Sequence, residues 1–165
     1  LTNDPKNLKE IKLGNWLHSR YSRYIYVEKD LDTMRKQLVN PPQRYDGKPH
    51  GLSHAVIDTA TGTVYISGQV DWDMNHQVSS HTVEGQLKNA LNNLTIVLDA
   101  SGSSVENLLN LRIYIRGEFG EFLEDIAPIL AEFLADSRPA LTGIGVASLA
   151  SPETLVEIEA TAALK

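Results

Sequence analysis

Between Val156 and Ala162 the chain alternates without a break: Val156, Ile158, Ala160 and Ala162 are apolar, while Glu157, Glu159 and Thr161 between them are polar. Successive side chains of a strand point to opposite faces, so this run is a strand with one dry face and one face carrying two carboxylates roughly 6.6 Å apart. It commits the chain to a sheet that is covered on one side only. A second run, over residues 141–149, precedes it, and Ser151-Pro152-Glu153 between the two is turn chemistry. The two runs are expected to pair as a β-hairpin. Gly143 and Gly145 leave one face of the earlier run bare, so a ligand or a neighbouring backbone can come close. The paired acids would suit work on a single bond, but acids two apart on a half-exposed strand are far more often a solvated face.

Upstream, Val83, Leu87, Ala90, Leu91, Leu94, Val97 and Leu98 trace a 3.6-residue stripe that ends at Gly102, with Ser79, Ser80 or Thr82 available as N-cap. Leu109, Leu111, Ile113 and Ile115 then alternate with Asn110, Arg112, Tyr114 and Arg116, the pattern of a half-buried strand. Phe122, Leu123, Ile126, Leu130, Phe133 and Leu134 form a second helical stripe, which Pro128 must kink or restart because it has no amide hydrogen. Residues 53–57 and 63–67 read as an antiparallel pair of strands joined by a turn-rich connector, with Gly68 marking a bulge or a close approach to the backbone. Helices on one face of a mostly antiparallel sheet is the α+β solution that this order implies.

Residues 1–40 read as an appended, helical extension and residues 41–165 as the domain proper. A helix is expected over residues 5–20, and a shorter one, capped by Asp30 or Asp32, runs through Leu38 to the stop at Asn40-Pro41-Pro42. Tyr21, Tyr24 and Tyr26, interleaved with Arg20 and Arg23, either stack on a ligand or pack the extension onto the domain or a partner. The chain opens on Leu1, which implies a trimmed start.

The net charge of −6 argues against nucleic acid as a partner, since affinity for a phosphate backbone rests on Lys and Arg. No apolar run is long enough to span a membrane, and no cysteine is present for disulfide, thiolate or zinc–thiolate chemistry. A cytoplasmic location is expected, with the periplasm still open. Asp71-x-Asp73-x-Asn75 has the opening spacing of a calcium loop, but His76 stands where that loop needs Gly and Thr82 where it needs Glu. The five histidines are scattered, so neither a metal nor a cofactor is expected.

Several strings, in order, resemble the reactive-intermediate deaminase (Rid, or YjgF-like) family. They are Ser53-His54-Ala55-Val56, Val64-Tyr65-Ile66-Ser67-Gly68-Gln69, Gly85-Gln86 onward with Asn93-Leu94, Ser101-Gly102, Arg138-Pro139-Ala140 and Val156-Glu157-Ile158-Glu159-Ala160. The resemblance implies a chorismate-mutase-like α+β fold with a mixed, mostly antiparallel sheet, two helices on one face, and a homotrimer with small-molecule clefts between subunits. It also implies hydrolysis of enamines or imines to keto acid and ammonia. An arginine after the Pro-Ala pair would clamp the substrate carboxylate, and a Glu of the last strand would handle water.

Carried onto this chain, the Glu is Glu157 and the strand-end backbone near the ligand is Ser67 and Gly68. The arginine position is occupied by Leu141, an apolar side chain where burial of an unpaired carboxylate would be costly. Leu52 and Ala127 stand where members often have Tyr and some have Asn. Arg138, Arg112 and Arg116 are the alternatives for a replacement clamp. The chain therefore resembles a branch without the arginine, and standard 2-imino acid deaminase activity is not expected. Three readings remain: a hydrolase or deaminase acting on a non-standard metabolite, with Glu157 as base and amides near Thr142 and Gly143 holding developing charge; a non-catalytic metabolite-binding or interaction module; and a standard deaminase using another arginine. A ribonuclease role, claimed for some relatives, is disfavoured by the acidic charge.

Overall fold

The stripe from Val83 to Leu98 becomes helix α1, Val83–Ala100, in a computed structural model that describes residues 35–165. The Thr82 side chain caps it by accepting a hydrogen bond from the Gly85 amide at 3.2 Å. The expected helix over residues 5–20 and the Tyr21–Tyr24–Tyr26 cluster lie outside the described residues.

Six strands form a single sheet: β1 Lys36–Val39, β2 Ala55–Asp58, β3 Thr63–Val70, β4 Leu108–Arg116, β5 Ala140–Val146 and β6 Val156–Ala163, in the order β1-β2-β3-β6-β4-β5. Every pairing is antiparallel except β4 with β5. Parallel neighbours need a long crossover, which helix α2, Leu123–Leu134, supplies together with the 3-10 turn Phe119–Phe122 that leads into it. The mixed, mostly antiparallel sheet with two helices matches the expected α+β class.

Three expectations are corrected. The 141–149 and 156–162 runs do not form a hairpin, because β4 lies between β5 and β6. Alternation establishes that a strand exists without naming its neighbour, and β6 satisfies both of its backbone edges by inserting between β3 and β4. Where the short helix is expected to run through Leu38, the Lys36–Val39 backbone is strand β1 and extends the sheet beside β2. Leu109 does not join the dry face of β4: the register against β6 slips between Leu108 and Asn110, so Leu108 is buried and Leu109 points outward. The second helical stripe forms one helix that runs through Pro128 without restarting.

The dry face is continuous across the sheet. Val64 and Ile66 of β3, Leu111, Ile113 and Ile115 of β4, and Val156 and Ile158 of β6 pack against Leu87, Leu94 and Leu98 of α1 and Ile126 of α2. Each side chain so buried contributes about 1.5–3 kcal/mol of transfer free energy. The two glycines of β5 belong to this packing. A Cβ at Gly143 would overlap the Phe119 ring, and one at Gly145 would meet the carbonyl oxygen of Gly117. The close approach that the bare face allows is thus made by the chain itself.

This contrast is testable. Gly145→Ala presses on backbone that cannot rotate away and should lower the urea midpoint, costing about 1–3 kcal/mol. Gly120→Ala, where nothing lies within 4 Å of the added Cβ, should be neutral or stabilising by up to about 1 kcal/mol.

Candidate functional site

The β3–β6 register shifts between Ile66 and Gln69, so Ser67 and Gly68 form the irregularity that the glycine signalled. Glu157 occupies the space opened there: a Cβ at Gly68 would collide with its carboxylate. Alternation turns Glu157 away from Val156 and Ile158, onto the sheet face opposite the helices, next to Tyr114 of β4 and Val70 of β3. Burial raises its pKa above the ordinary carboxylate value, and the neighbouring Glu159 carboxylate pushes in the same direction. Glu159 differs: it accepts a 2.6 Å charge-assisted hydrogen bond from Arg112 on the exposed strand face. The two acids therefore have different surroundings, and burial holds Glu157 toward its neutral form. Ser67 is engaged structurally, its hydroxyl donating to the His54 carbonyl at 3.1 Å.

Leu141 pairs with Leu111 and Gly143 with Ile113, which turns both toward the helix side. Leu141, 43% exposed, lines a groove of about 320 Å³ with Ala131, Leu134 and Pro139. Ala127 is exposed one helical turn before Ala131. Thr142 faces the other way, beside Arg112. Leu52 packs on Gly47 within its own loop, to which its amide donates at 3.1 Å. The candidate residues are therefore scattered within one chain: Ser67, Gly68 and Glu157 lie at the bulge, Leu141 and Arg138 line the groove at the end of α2, Ala127 lies earlier on that helix, Gly143 lies against Phe119, and Leu52 and Thr142 join none of these. The sheet separates Glu157 from Leu141.

None of the three candidate arginines stands free as a clamp. Arg138 turns back to donate to the carbonyls of Ala135 and Ser137, satisfying the end of α2. Arg112 pairs with Glu159, and Arg116 donates to the Pro152 carbonyl and holds the 151–154 turn. The calcium spacing has a different outcome: Asp73 Oδ1 accepts the amides of Asn75 and Gln77 at 2.7 and 3.0 Å, closing a turn. Among the described residues no group of three His, Cys, Asp or Glu could hold a metal.

A cluster escaped the sequence reading. Tyr45, in the loop before β2, packs edge-on against His54 at 4.7 Å and lies 4.7 Å from His76 and 5.7 Å from Trp72. Burial raises the Tyr45 pKa, with Arg44 opposing and the Glu157 charge adding to the rise. His54 donates from Nε2 to the Tyr45 carbonyl at 2.8 Å, and burial lowers its pKa. The available signal was an Arg-Tyr pair inside an otherwise turn-rich stretch.

Residues 48–164 match the family described as Endoribonuclease L-PSP. The chain is similar to a 2-iminobutanoate/2-iminopropanoate deaminase of Dermatophagoides farinae, 31% identical over 98 residues that cover 59% of this chain and 74% of that protein. It is also similar to the mitochondrial protein mmf1 of Schizosaccharomyces pombe, 29% identical over 77% of this chain and 75% of the relative. Among solved structures, the Rid-family protein YyfB of Yersinia pestis is 36% identical with a TM-score of 0.59, covering 79% of this chain and all of its own. No helix among the described residues is long and apolar enough to cross a membrane.

The Glu157 carboxyl has a stability consequence. With its pKa raised in the folded protein, the native state holds the proton more tightly than the unfolded chain does. Stability therefore falls as pH rises from 4.5 through the raised value. Glu157→Gln should remove that decline, so the gap in melting temperature between variant and wild type should widen in the variant's favour from pH 4 to pH 7.

Proposed function

The chain belongs to the Endoribonuclease L-PSP family, the YjgF/Rid proteins, and from that premise we propose that it is a deaminase-like hydrolase of C–N bonds whose substrate lacks the usual carboxylate at the Leu141 position. The reading is carried by one observation: Glu157 lies against the side-chain-free backbone of Gly68 with its pKa raised, the state a general base needs near neutral pH. Glu157 would take a proton from water as the oxygen adds to an imine carbon. The carbinolamine then collapses to a carbonyl while the nitrogen leaves as ammonia, carrying the added protons.

The opposed faces of Glu157 and Leu141 support clefts built between copies, most simply in a homotrimer, where the bulge of one subunit meets the Leu141 groove of the next. Leu141 then offers apolar surface where an acid would be clamped, which favours a neutral or apolar substituent on the ligand. The net charge of −6 and the pairing of Arg112 with Glu159 speak against RNA as the substrate. The proposed setting is the cytoplasm or, by analogy with the S. pombe relative, a mitochondrion.

The test couples purified protein to an amino-acid oxidase or threonine dehydratase and follows keto-acid release. Wild type should not accelerate release above background, and Leu141→Arg should raise the rate at least several-fold, an increase that the added Glu157→Gln removes. Acceleration by wild type comparable to a standard family deaminase would overturn the assignment of Leu141.

A further inference from the structure

Arg44 is 5% exposed, yet it has no carboxylate partner among the described residues. Its Nη1 donates to the Trp72 carbonyl at 3.0 Å, while Nε and Nη2 are buried with no hydrogen-bond partner. These two atoms form one edge of the guanidinium fork, the edge that receives a carboxylate in bidentate fashion. A desolvated guanidinium with that edge unmade is among the costliest states a side chain can adopt. Burial lowers the Arg44 pKa, and the charges of Tyr45 and Asp71 offset this only in part.

The deficit is local. Among the described residues, the other buried side-chain polar atoms without a close partner lie on His76 and on His54 and Gln69, and the last two face each other. Tyr45 joins them: Arg44 lies 5.4 Å from its ring centre, and His54 and His76 pack on the same ring. His76 is held at φ 61°, an uncommon conformation for a residue other than glycine, by the turn that Asp73 closes. Asp71, whose charge reaches Arg44, directs Oδ2 to the amides of Ser79 and Ser80 and does not pair with it.

We propose that Arg44 receives a small carboxylate on its Nε–Nη2 edge, in a site formed by the loop carrying Arg44 and Tyr45 and the loop carrying Trp72 and His76. One guanidinium partly offset by Asp71 matches a planar monoanion better than a phosphate dianion. Arg44 and Tyr45 precede the residues 48–164 that match the family, whereas Trp72 and His76 lie within them. It does not depend on Glu157 acting as a base.

The experiment uses the full chain with acetate, pyruvate, inorganic phosphate and uncharged acetamide as probes, read by the Arg Nε–H NMR signals and by thermal shift. Pyruvate or acetate should move the Arg44 Nε signal saturably and raise the melting temperature, and acetamide should do neither. Arg44→Gln should weaken the apparent affinity roughly ten-fold or more, the loss expected when a charge-assisted pair is unmade. If that variant does not fold, the wild-type Nε titration decides alone. An unmoved Nε signal, a thermal shift that survives in Arg44→Gln, or a response to phosphate without one to carboxylates would each overturn the proposal.

Discussion

The architecture depends on a single dry face. Three central strands present Val64, Ile66, Leu111, Ile113, Val156 and Ile158 to the same side, and α1 and α2 cover them with Leu87, Leu94, Leu98 and Ile126. Because strand side chains alternate, this commitment fixes the opposite face as well. Glu157, Glu159, Arg112 and Tyr114 are placed together because their neighbours in sequence are buried. The chemistry of the chain is thus a by-product of its packing, sharpened at one place where the ladder is interrupted.

That interruption makes Glu157 different from Glu159. A regular β3 would set a side chain over the neighbouring strand, whereas the bulge and Gly68 leave a recess into which the carboxylate folds. Two residues further along, Glu159 faces open solvent and an arginine. Two acids in similar sequence contexts, each flanked by apolar residues, so acquire different surroundings, a recess in the backbone for Glu157 and an arginine for Glu159.

Much of this was legible in the residues and some was not, for identifiable reasons. The stripe of α1, the dry face of β6 and the irregularity at Gly68 are local patterns, and local patterns report elements faithfully. Strand adjacency is not local: nothing in residues 137–165 indicates that β4 separates β5 from β6. The face on which Leu141 emerges depends on the parallel register with Leu111, which also lies far away in sequence. Lys36–Val39 escaped because a four-residue edge strand carries too little alternation to compete with a helix pattern. The Arg44 and Tyr45 cluster escaped because its members converge from loops, where sequence spacing says little about proximity.

The placement of β6 also bears on how the protein is made. Of the six strands, β6 comes last along these residues and joins β3 to β4, so until it docks the sheet carries two unfilled inner edges and an uncovered apolar surface. Contacts this distant in sequence close slowly. The fold is therefore sealed by β6, and the interval before it docks is when the folding polypeptide is most exposed to misassociation with its neighbours.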